Sequence, residues 1–412
     1  MTPHLTDRSA LLVASTLPED MRRRNVSAVL RAVLAHGPVA RSEISRLTGL
    51  SAGTVTKLTT PLLGAGLLHE QPPAGHARDT GRPRVPVELD LRDRAVVGLH
   101  LGLLRTTVGL VDLRAGVFAQ RVVAHSVTEP EPLLREARDA VEDLARVDGA
   151  GRSVLGVGAS VGGWVDHAAG TIVEHPSLGW RDVPARAELE ALGRPLRLDN
   201  SVRAHALAET WFGTATGKRS VAYLFVGNIV GAALVIDRAI HHGPRSAAGH
   251  LTHFPVEGVR GPRCACGRHN CLQAVASDVG MLTLGRETGV VAEGETLESV
   301  IARARDRDRP AARLLRDRAR RVGQAVAVLL DLVNPDLVVL AGGLVDAPEY
   351  LDDVRAEAAR RTHVEVDLDR RVVTTALGEH ALVASSAALV LDAYYDDPFS
   401  FEARLAGGRS AA

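Results

Sequence analysis

All three cysteines of the 412-residue chain fall in one short stretch, Cys264-Ala-Cys266-Gly-Arg-His-Asn-Cys271. His250, His253 and His269 lie near them. Thiolates and imidazoles are the donors that tetrahedral zinc takes, and Cys3His is one of its structural sets. Three small buried hydrophobes would be the bland alternative, but chance clustering of the only three cysteines is improbable, which favours zinc. His253 stands 11 residues upstream of Cys264, far enough for a loop to fold back and close the site. His269 is the less favoured fourth ligand, because its neighbours already bind and short loops strain. The expected ligands are therefore His253, Cys264, Cys266 and Cys271. Four protein donors leave no open position, so this zinc is expected to be structural.

A second kind of chemistry is suggested near the N-terminus. Ser51 caps an expected helix in which Val55, Leu58 and Leu62 form the inward stripe. Ala52, Gly53, Thr54, Thr56 and Lys57 then stand near its start, where residues of a major-groove helix reach base edges. Arg41, Arg82 and Arg84 are placed to meet phosphates or the minor groove. Pro61 removes a backbone donor, so this helix is expected to kink or end near Thr60. A small helical module for protein contact is the alternative.

Asp199-Asn200-Ser201 ends an expected strand and begins a helix, a position where α/β folds bind ligands and where plain N-caps also occur. Gly98 to Gly102, Gly156 to Gly158, Gly162-Gly163 and Gly342-Gly343 are weaker candidates for phosphate turns.

Composition bounds these readings. Hydrophobic residues make up 46%, enough for a packed core, so wholesale disorder is excluded. Aromatics are 3%, which argues against base-stacking single-strand binders. The cysteines are too few for a disulfide scaffold, and no stretch has the flanks of a signal peptide or the length of a membrane span; a cytoplasmic protein with no membrane partner is expected. The formal net charge is zero, but residues 21–84 carry +7 and residues 91–412 carry −3. A small basic module precedes a large, mildly acidic one.

The elements that must position these groups follow from periodicity. Residues 22–91 read as three helices and a hairpin, a winged helix-turn-helix behind an extension at 1–21. Residues 92–412 alternate strands and helices. The strand–turn–strand at 95–113 is echoed at 221–236, which suggests two related α/β halves.

Taken together, these residues resemble the ROK family of repressors and sugar kinases. The match is carried by Ala248-Gly-His-Leu-Thr-His253 and the cysteine stretch, with Pro176-Ser-Leu-Gly-Trp180 and Asn334-Pro-Asp336 before Gly342-Gly343. Arg41 to Val55 is similar to the helix-turn-helix of the family's regulators. The resemblance implies a two-lobed actin-like ATPase fold of the α/β class behind a winged helix. Where the family's kinases carry a D-x-G-x-T strand pair, His100 takes the Asp position. Their catalytic Asp corresponds to Ser201, a poor base at neutral pH. The family's sugar contacts correspond to Asn200, His250, His253 and Gln273, so the effector-binding set is expected to be Gly163, Asn200, Ser201, His250, His253 and Gln273. The resemblance thus implies a sugar-responsive repressor, dimeric or tetrameric, that binds a double-stranded operator and has no kinase activity. A sugar kinase with an accessory DNA-binding head, and a ligand-independent DNA-binding protein, are the alternatives.

Overall fold

The computed structural model describes residues 18–72, 85–149 and 151–409. They divide into two compact units, one reaching to Asp90 and taking in Tyr394–Phe401, the other comprising Leu91–Ala393 and the chain from Glu402. Arg82 and Arg84 lie outside the described residues, as do residues 1–17 of the expected extension.

The first unit begins with α1 (Pro18–His36), followed by β1 (Val39–Ala40), α2 (Arg41–Thr48), α3 (Ala52–Gly64), β2 (Leu68–Glu70) and β3 (Pro86–Leu89). The strands form a small sheet in the order β1-β3-β2. Val29, Leu30, Ile44, Val55 and Leu62 make its dry centre. Gly49 ends α2 in the left-handed region that its missing side chain permits. The helix α3 does not stop at Thr60 but runs through Pro61 to Gly64. Only one ladder bond is lost so close to the C-terminus, and the last turn seats Leu62, which is fully buried.

The second unit is built on two five-stranded sheets of one topology. In the first lobe, β4 (Arg94–Leu101), β5 (Arg105–Val111) and β6 (Val117–Ala124) are antiparallel neighbours. The helix α4 (Pro130–Val147) crosses over to β7 (Ser153–Val161), which runs parallel to β4. A small antiparallel sheet follows, β8 (Trp164–Asp166), β9 (Thr171–His175) and β10 (Trp180–Val183). The chain then passes through α5 (Ala185–Glu190) to β11 (Leu196–Asn200), parallel to β7. The sheet order is β11-β7-β4-β5-β6.

The helix α6 (Ser201–Phe212) leads into the second lobe, where β12 (Val221–Val226), β13 (Val230–Ile236) and β14 (Ala239–Ile240) repeat the antiparallel start. A long excursion contains α7 (Leu272–Ala276), α8 (Asp278–Glu287), α9 (Leu297–Arg305) and α10 (Arg309–Val333). Then come β15 (Leu337–Ala341), α11 (Leu351–Arg361), α12 (Leu368–Arg371) and β16 (Val372–Thr374), in the sheet order β14-β13-β12-β15-β16. The faint echo between the halves is thus a repeated topology. The helix α13 (Ala381–Asp396) lies against the first sheet, and α14 (Pro398–Arg409) closes the described chain.

Two of the glycine runs serve packing rather than phosphate. A side chain at Gly98 of β4 would strike the Val383 carbonyl of α13, and one at Gly158 of β7 the Ser386 carbonyl. Their bare backbones let α13 sit directly on the sheet. No helix among the described residues is long and apolar enough to cross a membrane.

Candidate functional site

The cysteine stretch forms a knuckle. Leu272 N donates to the Phe254 carbonyl at 2.8 Å, and Pro255 pairs with Cys271 in an antiparallel bridge. The Cys264 N–H donates to the Arg268 carbonyl at 2.8 Å and the Cys264 carbonyl accepts from Gly267 N at 2.8 Å, which folds the loop back on itself. This brings one donor atom each of His253, Cys264, Cys266 and Cys271 within 4.8 Å of one another. Cys264 Sγ lies 3.4 Å from His253 Nδ1, and Cys266 Sγ lies 3.3 Å from Cys271 Sγ. Bonds of about 2.0–2.3 Å to a tetrahedral zinc would separate its ligands by roughly 3.3–3.8 Å, so the donor set fits that ion. Hydrogen bonding from the Arg268 guanidinium lowers the Cys266 thiol toward the thiolate form, while burial raises that of Cys271. His269 turns away, its Nδ1 being 3.0 Å from the Gly261 carbonyl.

Beside the knuckle lies a cavity of about 590 Å³. Gly163, Asn200, His250, His253 and Gln273 all line it, as do Cys264 and Cys266. Ser201 does not: it is buried at the first position of α6, with its carbonyl facing His205. Its inclusion among the effector contacts is corrected on that ground. Several other lining groups are already engaged. The Gln273 amide accepts from Val230 N at 2.7 Å and donates to the Asn228 carbonyl at 2.9 Å, bracing the β12–β13 turn. Asn200 caps α6 by accepting from Val202 N at 2.8 Å, and it donates to the Gly163 carbonyl. His250 is exposed, and partial burial lowers its pKa, which favours a neutral imidazole.

The opposite wall was not legible in the sequence. Trp164, Glu174, His175, Pro176 and Ser177 come from the β8–β10 sheet, whose strands are only 3–5 residues long and carry little alternation. The Pro176–Trp180 stretch was the one signal pointing there. Trp164 stands edge-on to His250 at 6.0 Å between ring centres, so an aromatic and an imidazole meet across the cavity.

Two further sequence candidates, His100 and the Gly342-Gly343 turn, are engaged within the protein. His100 Nδ1 is 3.0 Å from Ser160 Oγ, which lies 2.7 Å from Ser386 Oγ. His100 keeps a sliver of surface, yet protein encloses its imidazole, and this burial pushes its pKa down to about 3. It is therefore a neutral ring. At the Gly342-Gly343 turn, a side chain on Gly343 would strike the Asp278 carboxylate, and one on Gly342 the backbone of Val226. Arg318 pins Asp278 there in a buried ion pair. The turn thus holds an anion of its own.

In the first unit, Ser51 caps α3 by accepting from Thr54 N at 3.1 Å, and the two hydroxyls lie 2.9 Å apart. Ala52, Gly53, Thr56 and Lys57 are exposed along the start of the helix. Arg41 donates to Glu70 at 2.8 Å and to Thr59 Oγ1 at 3.2 Å, so it is tied within the unit.

Comparison with known proteins agrees with this architecture. A family model described as "ROK family" matches residues 96–393. The chain is 32% identical over 390 residues to a transcriptional regulator, Rv0485, of Mycobacterium tuberculosis, covering 90% of this chain and 86% of the relative. It is 26% identical over 390 residues to a xylose repressor of Caldicellulosiruptor bescii, covering 90% and 96%. A crystal structure of a ROK family transcriptional regulator, a homologue of the E. coli Mlc protein, matches with a TM-score of 0.77 over 92% of this chain and 97% of that one. Its identity of 23% speaks for the fold. The two repeated lobes, the cysteine knuckle and the family match over both together establish that this chain belongs to the ROK family.

Proposed function

We propose that the protein is a sugar-responsive, DNA-binding transcriptional repressor without kinase activity. The observation that carries this reading is one chain joining an exposed helix-turn-helix reading face to a sugar-kinase-type cavity whose base position is the buried Ser201. A serine with its carbonyl committed to His205 and its side chain out of the cavity has no means to take a sugar proton. The neutral His100 and the anion already held at Gly343 argue against nucleotide use for the same reason. The regulator and xylose-repressor relatives support the same assignment.

In this reading residues 22–91 form the DNA-binding domain, following an N-terminal extension at 1–21. Ala52, Gly53, Thr56 and Lys57 face the major groove, with Ser51 and Thr54 fixing the helix start and Arg41, Arg82 and Arg84 serving the backbone. Residues 92–412 form the effector-binding and dimerisation domain, acting as a homodimer or homotetramer in the cytoplasm. A sugar or sugar derivative lies between Gly163 and Asn200 on one side and His250 and His253 on the other. His253, Cys264, Cys266 and Cys271 would hold a structural zinc, which would cross-link the knuckle. Because His253 touches both knuckle and cavity, effector occupancy is felt by the knuckle and alters the spacing of two DNA-reading heads.

The test is a gel shift with duplexes selected from a random pool by the purified protein, titrated with a panel of sugars. Sequence-specific retention released by at least one sugar is the expected result. ATP-dependent phosphorylation of a hexose by the metal-loaded protein would overturn the assignment.

A further inference from the structure

Behind the cavity, the first and second lobes are fastened by a set of groups that the proposed repressor mechanism does not use. Asp199 is the penultimate residue of β11, and its side chain is 2% exposed. One of its carboxylate oxygens accepts from Arg203 Nε at 2.7 Å and from Asn200 N at 2.7 Å. The other oxygen faces two imidazoles, 2.9 Å from His242 Nε2 and 3.7 Å from His167 Nδ1. His167 follows β8 in the first lobe, and His242 follows β14 in the second. The rings lie 4.6 Å apart and 23° from parallel, each about one-third exposed. A donor atom from each of the three residues falls within 4.8 Å of the other two.

We propose that His167, Asp199 and His242 form a metal site for a divalent transition cation of the zinc class, clamping the two lobes together beside the cavity. Two imidazoles and a carboxylate are a borderline donor set suited to zinc, nickel or iron rather than to calcium or magnesium. Ligands bonded at about 2.0–2.2 Å to a tetrahedral ion sit roughly 3.3–3.6 Å apart, between the 2.9 Å of the His242–Asp199 pair and the 3.7 Å of the His167–Asp199 pair. His167 Nδ1, 3.0 Å from the Leu198 carbonyl and 3.7 Å from Asp199, would exchange the carbonyl for the ion. The carboxylate is preset by Arg203, so the ion meets an arranged ligand rather than a mobile one.

The surroundings explain why a clamp is useful here. The loop after His242 carries Arg245 and Ser246 in the left-handed region, at φ 49° and 55°. Such residues cost free energy and persist only where neighbours hold them. Arg203 holds this loop through the Ser246 carbonyl at 2.9 Å, Trp164 through the Arg245 carbonyl at 2.8 Å, and the His167 amide through Ser246 Oγ at 3.0 Å. Arg203, Trp164 and Ser246 all line the cavity. A cation on His242 would fix the root of this loop to β11 and so hold the cavity wall closed.

Cobalt(II) titration of the metal-free full-length protein tests the proposal. Cobalt on the knuckle gives an intense thiolate charge-transfer band, whereas cobalt on nitrogen and oxygen does not. We expect two equivalents per chain, one of them without the thiolate band. His242→Ala and His167→Ala should each lose that sulfur-free equivalent, taking the stoichiometry from two to one, while the thiolate band persists and shows that the fold survives. If all bound cobalt reports thiolate, or if the sulfur-free equivalent survives both variants, the proposal is wrong.

Discussion

The two lobes share a sheet and differ in what is inserted into it. Both run three antiparallel strands and then two parallel ones, in matching order. The first lobe inserts the β8–β10 sheet between its parallel strands, and that insertion is held by strand pairing and by apolar residues such as Val165, Ile172 and Trp180. The second inserts the knuckle, whose backbone is mostly turns and whose polar side chains converge on a point. The shared sheet is framework. The differing insertions face each other across the cavity, and function lies with them. One insertion closes on itself, whereas the other leaves donor atoms open for something from outside.

The largest expected effect breaks this contrast directly. If the knuckle depends on a metal, stripping it with a strong chelator should cost several kcal/mol, of the order seen for structural zinc. Cys271→Ser should do the same, because Cys271 is fully buried and no other donor replaces it. Calorimetry should show a lowered Tm, and limited proteolysis should cut between Leu251 and Ala276 before it cuts the β8–β10 sheet. An unchanged Tm and cleavage pattern after chelation would mean that both insertions are held by packing alone.

A smaller effect sharpens the contrast within the framework. Burial places the His100 pKa at about 3, below the value near 6.5 of an exposed histidine. A depressed folded pKa means that the unfolded chain binds the proton first as pH falls. Stability is therefore full above pH 6.5 and lost progressively down to about 3, at roughly 1.4 kcal/mol per pH unit for one such group. By pH 5 that amounts to about 2 kcal/mol. Urea unfolding at pH 7 and pH 5 should show this loss, and His100→Asn should remove His100's share of it. Buried His205 shifts the same way and retains its own share.

How far the sequence reached follows the same division. The sheets were legible because β4, β7, β12 and β15 are nearly continuous apolar runs, and the reading helix because Val55, Leu58 and Leu62 keep helical spacing. The knuckle was legible because its donors are rare residue types set close together. The opposite cavity wall was not, since short strands with mixed burial leave no period to read. Nor does residue type reveal whether a polar group is free. Asn200 matches the sugar-contact pattern that the resemblance implies and Gln273 stands at one of its Glu positions, yet both amides are engaged with the backbone. His250 instead meets Trp164 edge-on in the cavity, so its substitution bears directly on the proposed effector site. His250→Ala should raise the sugar concentration needed for DNA release about tenfold, a loss near 1.4 kcal/mol, with DNA affinity itself unchanged.

The smallest expected effect concerns the same distinction in the winged unit, where Lys57 stands open and Arg41 is tied. Lys57 is exposed on α3. Arg41 is 28% exposed and spans α2 to β2 through Glu70, which is 49% exposed. An ion pair this accessible contributes only about 0.2–1 kcal/mol, so Glu70→Ala should barely move Tm. What it changes is the availability of the guanidinium. If Arg41 meets a phosphate only after leaving Glu70, Glu70→Ala should tighten DNA binding slightly, while Arg41→Ala weakens it without altering sequence preference. Lys57→Ala should weaken binding more and lower the salt dependence by about one unit of slope if its partner is a phosphate. Fluorescence anisotropy across a salt series separates the two residues. Equal losses for Arg41→Ala and Lys57→Ala, with no gain from Glu70→Ala, would mean that the Arg41–Glu70 pair does not limit DNA binding.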